Sequence, residues 1–205
     1  MNRRGLSLLE MLLAIGITSI IGAAIASMMA AASNSLSSKD DGRQSAIRLA
    51  TTQVRLGAYI APSRCILDKS NTHLTLWLED SRENNTVHAS EIRWLSFDEN
   101  KKILAVDFVD FPDDWSQSMI DSADVACTPS TNYEALLAGL RADDIIESVP
   151  LIDLVESCNF WTNNNDPLSA THVCVRFAFS SEFGITNDSI IDETIRIHQP
   201  PSEQQ

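Results

Sequence analysis

The sequence MNRRGLSLLEMLLAIGITSIIGAAIASMMAAA, residues 1–32, decides the fold of this chain. From Met11 to Ala32 it carries no charged side chain, and about 22 residues at 1.5 Å per residue cover the ~30 Å hydrocarbon core of a bilayer. A single membrane-spanning helix is therefore expected over residues 6–32. Arg3 and Arg4 stand directly before it, which holds the leader on the cytoplasmic side and sends everything after the helix across the membrane. Glu10 is the anomaly. A carboxylate in an apolar helix costs about 2.5–3.5 kcal/mol at the bilayer centre on insertion scales, so it needs a partner.

Gly5 closing a short basic leader, Leu6 after it and Glu10 as the fifth residue beyond the Gly form a pattern. On these residues the chain resembles the class III leader of type IV pilins and of the pseudopilins of type II secretion systems. Leu6 departs from the usual Phe, and Ser7 stands where Thr is common. The resemblance implies cleavage after Gly5 by an inner-membrane prepilin peptidase and methylation of the new amine on Leu6. It further implies that, in a low-dielectric bundle of helices, Glu10 of one subunit pairs with the Leu6 amine of a neighbour, compensating two desolvated charges. The partners it implies are other pilins or pseudopilins through the N-terminal helix, the peptidase and an inner-membrane assembly platform. The expected location is the bacterial inner membrane, single-pass, with a periplasmic C-terminal domain that can be drawn into a filament.

Two other readings compete. A conventional signal peptide shares the basic and apolar regions, and Ala30-Ala31-Ala32 before Ser33 offers a cleavage site, although the apolar region exceeds the usual 7–15 residues. A plain anchor makes Gly5 and Glu10 accidental. Either leaves an exported binding or enzymatic domain as the alternative function.

With 205 residues, one modest domain follows the anchor. The net charge of −13 becomes more negative once Arg3 and Arg4 are removed, and such a surface repels nucleic acid. No H-E-x-x-H, G-x-S-x-G or phosphate-cradling Gly-rich loop is present, so no enzyme and no cofactor are expected. Cys65, Cys127, Cys158 and Cys174 all lie beyond the anchor, where disulfides are permitted and three pairings are possible. Cys158 and Cys174 flank the connection Thr162–Ser169 between two strand-like runs, which favours their pairing and leaves Cys65 with Cys127. There is no C-x-x-C, and the wide spacings argue against zinc.

The polar run Ser33–Ser38 either breaks or merely wets the helix, after which apolar periodicity resumes. Ile47, Ala50, Val54 and Ala58 share a stripe, with Leu49, Leu56 and Ile60 beside it, and Pro62 stops the helix. Strands are expected at Leu74–Leu78, Glu91–Phe97 and Ile103–Phe108, the last two as a hairpin around Asp98–Lys102. A short helix from Thr131, with Glu134 at capping-box spacing, precedes strands at Val149–Trp161, His172–Phe179 and Ile190–Ile197. The fold class is thus α+β, a long N-terminal transmembrane helix serving as a spine packed on an antiparallel β-sheet domain, as in pilin-like proteins. Its expected divisions are a leader (1–5), the transmembrane helix (6–32), a helix extension (33–61), a β-rich exported domain (62–198) and a disordered tail (199–205). The order of the late strands is similar to that of the J-type minor pseudopilins and their W-type pilus counterparts, which implies a minor subunit.

Asp80 to Glu91 has the length of an EF-hand loop, with Asp80, Asn84 and Glu91 at positions one, five and twelve. Arg82 sits at position three, where an oxygen ligand is needed, and Asn85 replaces the turn Gly. The loop is a calcium candidate of degraded form, and a solvated connection between strands is the plainer reading.

Overall fold

The computed structural model describes residues 8–180 and 186–202. The chain divides into two compact units, Met1–Ala46 and Ile47–Gln205. Helix α1 (Leu8–Ile60) supplies the described secondary structure of the first unit and opens the second. The backbone stays helical through Ser33–Ser38 and Gly42, so the polar run does not break it. No Pro interrupts this stretch, and the cost of one Gly, about 1 kcal/mol, is small in a helix already nucleated on both sides.

Two antiparallel sheets make up the second unit. Strands β1 (Cys65–Lys69), β2 (His73–Trp77), β3 (Ile92–Asp98), β4 (Ile103–Val109) and β5 (Ile146–Ile152) form the first, in sequence order. Strands β6 (Val155–Thr162), β7 (His172–Ser180) and β8 (Thr186–Thr194) form the second. The expected β3–β4 hairpin is present. Asp98 Oδ1 accepts from the backbone N–H groups of Asn100 and Lys101 at 2.9 and 3.0 Å, and Lys102 takes the left-handed conformation that closes the turn. The single strand expected at Val149–Trp161 is instead two strands in different sheets. The break falls at Asp153-Leu154, where Leu154 has φ 56° and the chain passes from β5 to β6. The last strand lies earlier than expected, and β1 and the exposed helix α2 (Gln117–Ala123) are additions.

Helix α3 (Tyr133–Ala142) starts one residue later than the capping box suggests. Its N-cap is Asn132, whose Oδ1 accepts from the Ala135 N–H at 2.9 Å, while Thr131 Oγ1 accepts from the Thr128 N–H.

The first sheet is buried on both faces at β2, which explains the near-continuous apolar run of that strand. One face, through Leu74, Leu76 and Leu95, joins Leu56 and Ile60 of α1 and Val173, Val175 and Phe177 of the second sheet in one core. The other face, through Trp77, Ile92 and Trp94, packs with Leu137 and Leu140 of α3 in a second core. The stripe of α1 that meets the sheets is Leu49, Thr52, Leu56, Tyr59 and Ile60. The Ile47, Ala50, Val54 and Ala58 stripe faces outward, with Val54 73% exposed and Leu56 fully buried. Both stripes are apolar, but the buried one carries the larger side chains, and its Thr52 hydroxyl is satisfied within the helix, Oγ1 donating to the Arg48 carbonyl at 2.7 Å.

The tail was expected to be disordered, but residues 199–202 are tied down. The Gln199 N–H donates to the Arg64 carbonyl at 2.8 Å and the Ser202 N–H to the Asn85 carbonyl at 3.1 Å.

Candidate processing and assembly site

Within α1, Met11–Ala31 is a 21-residue segment long and apolar enough to cross a membrane. Its described side chains are exposed, Met11, Leu12, Ile15, Ile20 and Met28 among them. Thr18 and Ser27 return their hydroxyls to the backbone, donating to the Ile15 and Ala24 carbonyls, as a helix in a low-dielectric medium requires. Gly5 and Leu6 lie outside the described residues. Glu10 falls in the first turn of α1, and its side chain also lies outside them.

The loop from Asp80 to Glu91 is well defined, and its carboxylates are already taken. Asp80 accepts from the Asn84 and Asn85 N–H groups at 3.1 and 2.9 Å and pairs with Arg64 Nη1 at 2.7 Å. Burial acts to raise the Asp80 pKa, but those amides and the Arg64 guanidinium outweigh it and hold the carboxyl below its usual value. Glu91, only 1% exposed, accepts from Trp77 Nε1 at 3.1 Å, the Ser81 N–H and hydroxyl at 2.7 and 2.8 Å, and the His88 N–H at 3.1 Å. Asn84 does not face either carboxylate with its side chain; its Nδ2 donates to His88 Nε2 at 3.2 Å and its Oδ1 accepts from the Thr86 N–H.

Asp80, Asn84 and Glu91 therefore do not converge on a common centre. Among the described residues no group of three or more His, Cys, Asp or Glu side chains is placed to hold a metal ion. The residues do not fit calcium, because the cation that closes this loop is internal: Arg64, stacked 4.5 Å over the Trp77 ring, meets Asp80. Arg82, the residue that spoils the ligand pattern, instead binds the buried Asp124 at 2.8 Å, which also takes the Ser90 N–H and hydroxyl.

The four cysteines are free thiols. Cys158 pairs in register with Phe177 and points into the core, whereas Cys174 pairs with Trp161 and lies on the opposite face beside Asp192. The preferred Cys158–Cys174 bridge is thus corrected: adjacent strands bring the residues near in sequence order, but the register turns their side chains to opposite faces. Cys65 and Cys127 share the second core, both beside Tyr133, without a bond between them. Burial pushes Cys65, Cys127 and Cys158 up to about 12. Such thiols stay protonated and are poor nucleophiles and metal ligands.

One arrangement resembles a hydrolase triad. Ser70 Oγ lies 2.6 Å from His73 Nδ1, and His73 Nε2 lies 3.4 Å from Asp68 Oδ2. The Ser70 oxygen, however, also accepts from the Thr72 and His73 N–H groups at 3.2 and 3.1 Å. With its lone pairs spent on the β1–β2 turn it is a turn-stabilising hydroxyl rather than a nucleophile.

A single apolar helix running into an antiparallel α+β domain is the build of a membrane-anchored, pilin-like protein. Residues 1–26 match the family model described as the prokaryotic N-terminal methylation motif, so this chain carries the class III prepilin leader of type IV pilins and pseudopilins. No curated protein and no solved structure matches the chain at a significant level.

Proposed function

We propose that this protein is a minor pilin or pseudopilin, a non-enzymatic structural subunit that joins the tip or initiation complex of a type II secretion pseudopilus or a type IV pilus. The match of residues 1–26 to the methylation motif carries the proposal. Prepilin peptidase cuts after Gly5, and the methylated amine of Leu6 becomes a new cation. The chain stays in the inner membrane with its acidic domain in the periplasm until assembly draws it into a filament. There Glu10 meets the Leu6 amine of a neighbouring subunit, an ion pair whose desolvation is repaid only if both charges are present. The bare apolar surface of Met11–Ala31 and the outward stripe of Ile47, Ala50, Val54 and Ala58 supply the surface against which other pilin helices pack.

The test is a Glu10→Val substitution in cells producing the partner pilins. The variant is expected to be processed like the wild type yet to be absent from purified complexes of those partners. Undiminished co-assembly would overturn the proposal.

A further inference from the structure

We infer that a groove beside α1 receives an acidic, aromatic turn of a second copy of this chain, so that copies join head to tail. The groove is an open cavity of about 430 Å³ between α1 and the ends of β4 and β5, lined by Arg48, Thr51, Arg55, Ile103, Pro150 and Leu151 among others. Arg48 and Arg55 are two helical turns apart on α1, hence on one face and about 10 Å from each other. The floor between them is apolar, with Leu151 and Ile152 buried. Arg55 is held at the wall, its Nη1 donating to the Leu151 carbonyl at 2.7 Å.

These two guanidiniums are out of character for the molecule. Asp and Glu outnumber Lys and Arg by 28 to 15, and Arg64, Arg82, Arg141 and Arg176 each hold a carboxylate. Arg48 and Arg55 form no salt bridge among the described residues, although Asp153 lines the same groove. An apolar floor rimmed by two uncompensated cations fits a partner that brings carboxylates on an apolar base.

Such a segment lies at the far end of the same strands. From Ile103 in the groove, β4 runs about 20 Å and delivers Asp110-Phe111-Pro112-Asp113-Asp114-Trp115. Strand β5 runs the opposite way, and at this end the Asp110 N–H donates to the Ile145 carbonyl at 2.9 Å. The Phe111 and Trp115 rings stack at 5.9 Å and pack on the second core, and the Trp115 N–H closes the turn on the Pro112 carbonyl at 3.0 Å. Asp110, Asp113 and Asp114 are left exposed, with no salt bridge to another described residue. A cationic groove and an anionic turn at opposite ends of one strand pair cannot meet within a molecule. They meet between copies in a heterologous contact, where the aromatic base of the turn also suits arginine.

The contact is made by the second unit and requires neither Glu10 nor a processed N-terminus, so it stands or falls separately from the proposed function. The test is capture of an untagged full-length chain by a tagged one, both in detergent micelles. One variant loses the turn's charge, Asp113→Asn with Asp114→Asn, and the other the groove's, Arg48→Gln with Arg55→Gln. The wild type is expected to capture itself, less so as salt is raised. Each variant should capture itself several-fold less. A mixture of the two should recover capture, because the intact turn of one meets the intact groove of the other, and the recovery shows both variants to be folded. No capture by the wild type, equal capture in every combination, as the anchor helices alone would give, or no recovery in the mixture would overturn the inference.

Discussion

Two parts of one helix treat the same kind of side chain in opposite ways. Over Met11–Ala31 the Leu, Ile and Met side chains stand bare, whereas near the end of α1 Leu56 and Ile60 are fully buried. Glu91 accepts hydrogen bonds from Trp77, Ser81 and His88 of its own domain, while the Met11–Ala31 segment that follows Glu10 exposes its described side chains. The lesson is that Leu56 and Ile60 are covered by the sheets of their own unit, whereas the described side chains of Met11–Ala31 are exposed. An exposed apolar surface of that length is matched by lipid or by other helices.

The sharpest way to break the comparison is Glu91→Ala. It strands the Trp77 indole and the His88 amide in the interior, each costing about 1–3 kcal/mol, and we expect the domain to lose about 4 kcal/mol in urea unfolding. Unchanged stability would mean that Glu91 is not the hub of its loop. Next come two neighbouring α1 positions on opposite faces. Leu56→Ala should cost about 3 kcal/mol by leaving a cavity, and Val54→Ala should stay within about 0.5 kcal/mol, because Val54 is already exposed. Similar losses at both positions would erase the distinction between the two stripes.

A smaller effect concerns acid. The Asp80 carboxyl is held below its usual value in the folded protein, so its contribution is complete above the ordinary Asp pKa of about 3.9 and is lost as pH falls through the lower folded value. Asp80→Asn should therefore flatten the acid limb of a stability–pH curve below about pH 4 and leave its slope near neutrality unchanged.

Much of this architecture is legible in the sequence because it rests on local signals. The anchor follows from an uncharged run, the β3–β4 hairpin from the strand-like runs around Asp98–Lys102, and α3 from the capping-box spacing of Thr131 and Glu134. What escaped depends on register or on distant partners. The inward face of α1 was ambiguous because two apolar stripes run side by side, and only the sheets against it choose between them. The Asp80–Glu91 spacing matched an ion loop, but Arg64 and Trp77, outside that spacing, took the acceptors. Cys158 and Cys174 sit on adjacent strands, yet the register sends them to opposite faces.

The central claim is that residues 1–10 are a cut site and an assembly code rather than a disposable address, and the mature N-terminus tests it most directly. Mass spectrometry of the chain purified from membranes of its native host should find a protein beginning at methylated Leu6. A chain beginning at Ser33, or one retaining Met1, would contradict the account.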